Sequence, residues 1–355
     1  MPVQLECENC GAHLEFDAKE QAMKCAYCES IKLVEVKDYR PPEEKDFFTA
    51  PTNTGWAVEV VTSKCDGCGA TITGVSHSGE CAYCGSPYVK VIPPNPNIIR
   101  PENLVPFQID HNYAKNLYNT WLGQGWFRPG DLAKLGRLRE LHGMYVPFWT
   151  YDCHVHSNWT ADSGYYYYET ESYTTWENGK SVRKTRQVRK TRWVPSSGRR
   201  NDAYDDLLIV ASKGLDYKLV QKIYPFNLGA LVPYKPEFLT GWKAEDYDVD
   251  VRQGWGIARK KVETEQYNRC SHDVPGDTHR FLSVNNSFSK ITYKHILLPI
   301  WVASYHYKKK LYHFLVNGQT GELQGYKPWS WLKIGAVAAA VSGIIAGIIY
   351  YFFFM

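Results

Sequence analysis

Eight of the ten cysteines in this chain stand in four Cys-x-x-Cys pairs, at Cys7/Cys10, Cys25/Cys28, Cys65/Cys68 and Cys81/Cys84, while Cys153 and Cys270 stand alone. Two such pairs place four thiolates around one ion and leave no coordination position for water or substrate. The expected chemistry is therefore structural metal binding by all eight sulfurs, two ions in total. Zinc suits this donor set; a rubredoxin-type iron site uses the same four ligands, and spacing does not separate the two. A redox Cys-x-x-Cys normally occurs once beside a βαβ pattern, which this sequence lacks.

The pairs belong to an internal repeat. Glu6-Cys-Glu-Asn-Cys-Gly-Ala12 with Lys24-Cys-Ala-Tyr-Cys28 is echoed by Lys64-Cys-Asp-Gly-Cys-Gly-Ala70 with Glu80-Cys-Ala-Tyr-Cys84. Fourteen residues separate the inner cysteines of the first copy and twelve those of the second, room for a short β-hairpin between two metal-binding knuckles. Gly11 and Gly69 each follow a knuckle's second cysteine, where the tight turn favours a positive φ. Two zinc ribbons are thus expected, over 1–37 and 60–92. A unit of about thirty residues buries too little apolar surface to fold unaided, so metal should supply most of its folding free energy. An acidic, proline-containing linker over 38–59 and the run Pro93-Pro-Asn-Pro96 make the ribbons read as separable modules.

The rest of the chain must position these heads. It has 355 residues, 44% of them hydrophobic, enough for two or three domains. A formal charge of +4 is too small to imply a nucleic-acid partner by itself. The 26 Tyr and 12 Trp suit strands and membrane interfaces better than helical bundles. Met1 to Glu20 is polar with no apolar export segment, so the thiols are expected to meet a reducing cytoplasm.

Ile334 to Phe354 is uncharged for twenty-one residues, and as a helix it reaches about 31 Å, one hydrocarbon core. Lys327, Trp329, Trp331 and Lys333 mark its headgroup edge. This predicts one C-terminal transmembrane helix over 334–354, with the bulk of the protein cytoplasmic. Gly335, Ala339, Gly343 and Gly347 share a face that would admit a second helix, although glycine and alanine are common in membrane helices generally.

Residues 99–326 read as one β-rich α+β domain. Helical pattern covers Asn112 to Leu122, Asp131 to Leu141, Asp216 to Ile223 and, more weakly, Glu245 to Tyr267. Met144-Tyr-Val-Pro-Phe-Trp-Thr-Tyr151 and Ile296-Leu-Leu-Pro-Ile-Trp-Val-Ala303 are similar phrases, suggesting two related halves of an antiparallel sheet; a proline in a strand points to an edge or bulge. Asn178-Gly179 is a preferred type I′ turn joining Tyr165–Trp176 to Val182–Trp193. Pairing Glu177 with Lys180 sets Glu171 opposite Arg186, Tyr173 opposite Lys184, Tyr168 opposite Arg189, Tyr167 opposite Lys190 and Tyr165 opposite Arg192. The seven basic residues from Lys180 to Arg192 exceed the hairpin's acids, Glu169, Glu171 and Glu177, by four. That charge has three readings: a solvated hairpin, a contact to anionic lipid or an acidic partner, and a grip on nucleic acid.

No Walker loop, dinucleotide fingerprint, GxSxG elbow or HExxH occurs, so no catalytic residue is assigned and a non-enzymatic protein is expected. Asp152-Cys153-His154-Val-His156 and Cys270-Ser-His272 are the nearest candidates for thiol or metal chemistry, and a structural role is the simpler reading of both.

The paired ribbons, the Pro-Phe-Trp phrase, Arg192-Trp-Val-Pro-Ser-Ser-Gly198 leading to Tyr204-Asp-Asp-Leu-Leu-Ile209, Leu298-Pro-Ile-Trp301 and Val316-Asn-Gly-Gln-Thr-Gly-Glu322 together resemble the YdjG-like family of bacterial membrane-anchored zinc-ribbon proteins. The resemblance spans nearly the whole chain. It implies an adaptor that places SPFH (stomatin-like) or PspA-type partners at the bilayer in envelope stress. The alternative is a nucleic-acid-binding or transcription-linked ribbon protein tethered to the membrane.

Overall fold

The computed structural model describes residues 5–354 except 35–41, 52–61, 74–80, 82, 84–85, 87–88, 93–97, 139–140, 178 and 309. Three strands of unusual length dominate it: His142–Glu177, Lys180–Val210 and Thr278–Tyr307. The first lies between the other two, antiparallel to both. At about 3.3 Å per residue, a 36-residue strand spans about 120 Å.

The two related phrases lie side by side at the centre of this sheet. Tyr145 pairs with Pro299 and Pro147 with Leu297, so the prolines flank a local two-fold axis. Neither is at an edge or bulge, which corrects the expectation from sequence. Met144–Tyr145 pair in parallel with Lys243–Ala244, Phe148 pairs with Val210, and Pro147 falls where one neighbour gives way to the other. In the second phrase Ile296–Leu297 pair in parallel with Asn103–Leu104, Ile300 pairs with Asn317, and Pro299 falls at the same handover. A residue with no N–H is tolerated at a site where no ladder acceptor faces it. Each proline carbonyl still accepts a bond, from Ala211 N at 2.9 Å and from Gly318 N at 2.8 Å.

Around this centre both faces are covered, which explains the nearly unbroken apolar runs of the two phrases. One face packs Tyr145, Trp301 and Phe314 against the helix His111–Gly123 and the first ribbon's Phe16 and Met23. The other packs Met144, Val146 and Phe148 against the helix Tyr217–Lys222 and the second ribbon's Ile72 and Tyr83. Further along, the helix Val251–Asp273 covers Trp149, Tyr151, Cys153 and Val155. Its N-cap Asp250 accepts from Arg252 N and Gln253 N. Gly254 lets it lie close, since a Cβ there would sit 2.3 Å from the Tyr151 hydroxyl.

Three of the expected helices form with ends shifted by one to six residues. The fourth, Asp131 to Leu141, is corrected to a single turn, Leu132–Leu135, followed by the strand Arg137–Leu138 that pairs with Tyr305–His306. Gly136 ends the turn by donating to Leu132 O at 2.7 Å.

The ribbons are joined to the core, contrary to the expectation of separable modules. Phe16 N donates to Thr240 O, Trp242 Nε1 donates to Phe16 O, and the Phe16 and Phe238 rings meet at 5.1 Å. In the second ribbon Ile72 and Thr73 pair with Glu245 and Ala244, making its strands the continuation of the main sheet. Much of the 38–59 stretch and the run from Pro93 to Pro96 lie outside the described residues; within that stretch Lys45–Asp46 pair with Thr292–Tyr293.

Candidate metal centres and the exposed arm

Each first knuckle is closed by its own backbone. Gly11 N donates to Cys7 O and Gly69 N to Cys65 O, with φ of +72° and +80° at the two glycines. The second knuckle of ribbon one closes alike, Glu29 N donating to Cys25 O. Between its knuckles the expected hairpin forms, Leu14–Asp17 against Ala22–Cys25, with Asp17 Oδ1 accepting from Lys19 N and Glu20 N in the turn.

These turns bring Cys7, Cys10, Cys25 and Cys28 together, with all four sulfurs within 4.8 Å of one another; Cys65, Cys68 and Cys81 form a second cluster, and Cys84 lies outside the described residues. Cys7 Sγ stands 3.5 Å from Cys28 Sγ, Cys10 Sγ 3.5 Å from Cys25 Sγ, and Cys68 Sγ 3.6 Å from Cys81 Sγ. A tetrahedral ion with bonds of about 2.3 Å requires sulfur separations of about 3.8 Å, so the donor sets fit a metal. Backbone N–H groups point at the sulfurs, Gly67 N at Cys65 and Cys28 N at Cys25. The Ser30 hydroxyl lies 3.0 Å from Cys7 Sγ and, with the Asn9 backbone, lowers that thiol to about 6. Sulfur-bound iron meets the same geometry.

The second cluster is wired to the sheet by the tyrosine of its repeated Cys-Ala-Tyr-Cys phrase, which meets a carboxyl that no sequence pattern marks. Tyr83, beside Cys81, donates to the fully buried carboxyl of Glu245, and Ser212 Oγ donates to it at 2.7 Å. Burial pushes Glu245 up to about 8, so at neutral pH it is mostly the uncharged acid. A third cluster is acidic, Glu44, Asp152 and Asp205, and an ammonium pairs with two of its members and with the neighbouring Asp206: Lys294 Nζ lies 2.8 Å from Asp206, 3.6 Å from Glu44 and 3.9 Å from Asp152.

The thiol–histidine candidates do not assemble. Cys153 is buried under the long helix, which pushes its thiol up to about 11. His154 and His156 face the opposite side of the strand, where His156 Nδ1 meets Asn201 Oδ1. Cys270 is buried against Trp159 while His272 is exposed.

Beyond Gly164, where the third strand starts, the first two continue alone as an exposed two-stranded arm in the register read from the turn; Asn178 itself lies outside the described residues. Two of the three arginines that cover a ring lean diagonally rather than directly across. Arg192 covers Tyr165 as expected, whereas Arg189 covers Tyr166 at 4.3 Å and Arg186 covers Tyr173 at 5.6 Å. The lysines take carboxylates instead: Lys184 pairs with Glu177, and Lys190 with Glu169 and Glu171. Strand alternation puts all these ion pairs on one face. The other face presents Tyr166, Tyr168, Trp176, Arg183 and Arg189 among Thr, Ser and Gln, with no carboxylate.

At the far end of the chain, Trp331–Phe353 forms a single apolar helix long enough to cross a membrane, with none of it buried in the protein. Phe127 O accepts from Ser330 N at its base.

No protein-family profile matches the chain, and no solved structure does. The chain is similar along almost its whole length to the uncharacterized protein YdjG of Bacillus subtilis (strain 168), at 25% identity over 368 residues, covering 98% of this chain and 95% of that protein.

Proposed function

We propose that this protein is a non-enzymatic adaptor, held in the cytoplasmic membrane by its C-terminal helix, with two structural zinc ions in its ribbons and the bulk of the chain in the cytoplasm. The observation that carries this reading is that anchor and arm leave the same sheet at opposite ends. The base of the C-terminal helix is tied to the end at which the third strand finishes, where Tyr305 Oη donates to Tyr326 O at 2.8 Å. The arm emerges at the other end, where Gly164 pairs with Thr278. From Tyr305 back to Thr278 the third strand extends up to about 90 Å, and the arm adds about 40 Å. That separation argues against the arm's cations resting on headgroups beside its own anchor, and favours a protein partner as what the arm meets. SPFH or PspA-type proteins are the partners implied by the YdjG resemblance.

The test is retrieval of partners from solubilised membranes by tagged full-length protein, with metal analysis of the same sample. The wild type should bring down SPFH or PspA-type proteins with two zinc ions per chain, and Arg183→Ala with Arg189→Ala and Trp176→Ala should not. Deleting 331–355 should move the protein to the soluble fraction. Retrieval that is indifferent to the arm substitutions would refute the assignment.

One observation favours the second reading, a nucleic-acid grip: the carboxylate-free face joins arginines to exposed aromatic rings. It requires salt-sensitive binding of single-stranded DNA or RNA that weakens when Arg183, Arg186, Arg189 and Arg192 become Ala; unaltered binding would remove it.

A further inference from the structure

We propose that the cleft between the Gly125–Pro129 turn and the base of the C-terminal helix binds an anionic phospholipid, its phosphate between Arg128 and Lys333 and one acyl chain along Ala336 and Ala340. This rests on the reading that residues 331–353 span a bilayer. The cleft has a volume of about 610 Å³ and is lined by Trp126, Arg128, Lys333, Ala336, Val337 and Ala340. Its upper wall is cationic and its lower wall apolar, the two-part chemistry of a phospholipid.

Both walls are fixed in place. Ser330 N donates to Phe127 O at 2.7 Å and Lys333 Nζ to Trp126 O at 3.2 Å, and the Phe127 and Trp329 rings stack at 6.3 Å. Lys327 adds a third charge beside them, its Nζ donating to Gln124 O at 2.9 Å and lying 4.2 Å from the Trp121 ring centre. Among the described residues none of these three cations forms an ion pair with a carboxylate. Burial lowers the pKa of Lys327, and the charge of Arg128 lowers it further, so these two cations repel each other. An anion there relieves that repulsion.

The depth also fits. Trp329 and Trp331 are 65% and 79% exposed, the amphipathic rings expected at headgroup level. Lys333 lies just inside them, and the helix from Lys333 to Ala340 descends about 10 Å into hydrocarbon. The small side chains at Ala336 and Ala340 leave the groove that an acyl chain fills. Inorganic phosphate would meet only the upper wall.

The experiment is native mass spectrometry of the zinc-loaded full chain released from micelles holding equal amounts of phosphatidylglycerol and phosphatidylcholine. The wild type should retain phosphatidylglycerol preferentially. Arg128→Gln and Lys333→Gln should each weaken that retention about fivefold, the effect of removing one basic side chain near the headgroup. Lys260→Gln, on the exposed side of the long helix, should leave it unchanged. If Arg128→Gln does not fold, Lys333→Gln on the exposed helix base gives the same readout. Equal retention of both lipids, an unchanged preference in the variants, or displacement of phosphatidylglycerol by millimolar inorganic phosphate overturns the site. Alkaline carbonate extraction separates the two levels of inference. A chain that stays with the membrane yet shows no lipid preference loses only the site, and a chain that is extracted loses the anchor and the site together.

Discussion

Acid should loosen the entry of Ile99 into the central sheet, because His295 must stay neutral to hold it. This histidine is fully buried on the third long strand, with its ring 4.7 Å from that of Trp149 and its Nδ1 2.7 Å from Ile99 O. Nδ1 must therefore carry the proton, and Nε2 has no hydrogen-bond partner among the described residues. Tyr247 packs on the same ring and accepts from Ile99 N, so the residue entering the sheet is gripped on both sides. Burial lowers the imidazole from 6.5 to about 4, opposed by the Ile99 and Arg100 backbone and assisted by the Lys45 ammonium, which itself pairs with Glu102. The native state thus binds fewer protons than the unfolded chain between those two values. Stability is full above pH 6.5 and is lost as pH falls toward 4. At pH 5 the unfolded imidazole is almost fully protonated and the native one almost not, which is worth about 2 kcal/mol. Urea unfolding of zinc-saturated protein, followed by tryptophan fluorescence, should therefore lose about that much more stability between pH 7.5 and 5 in wild type than in His295→Gln, whose amide can still donate to Ile99 O. Metal-ligand protonation affects both proteins and cancels in the difference. Equal losses in the two would refute the argument.

Gly254→Ala should cost about 1 to 3 kcal/mol in the same unfolding assay, because its methyl group must displace the Tyr151 hydroxyl from Val251 O. Gln266→Leu should cost about 1 to 3 kcal/mol despite adding apolar surface to a buried site, since Ser157, Asp202 and Tyr204 each lose a hydrogen-bond partner. Chelation should expose residues 5–34 and the Phe238–Trp242 segment to protease together, because the first ribbon's hairpin packs on that segment; cleavage confined to the ribbon would contradict this coupling.

What could be read from the sequence was whatever local geometry decides. The Asn178-Gly179 turn fixed the pairing from Glu177↔Lys180 down to Gly164↔Trp193, and the same register continues to Cys153↔Tyr204. Cysteine spacing foretold the clustering of the described cysteines because two tight turns need only their own backbone. The extent of the long strands was hidden. From Tyr151 to Ser163 the buried face is Tyr, Cys, Val, Ser, Trp, Ala and Ser, too polar to announce itself, and it is buried only because a helix from a hundred residues away covers it. The docking of the ribbons was equally hidden. It depends on Phe16 meeting Phe238 and on Tyr83 meeting Glu245, contacts that link segments far apart in sequence and leave no periodic trace.

The paired prolines show why one half of the sheet could become an arm. In both phrases the residues three and two before the proline pair in parallel with a short strand, and the residue after it starts an antiparallel neighbour. The two halves therefore satisfy their backbone groups by the same scheme. They differ in what the antiparallel neighbour does next. The one beginning at Ile300↔Asn317 returns after eight residues at Lys310, whereas the one beginning at Phe148↔Val210 runs to the turn beside Gly179. Lengthening a hairpin adds cross-strand bonds in proportion to its length and asks nothing of the core it leaves. An extension of this kind can carry a contact surface far from the C-terminal helix while the cysteine clusters and that helix keep their places.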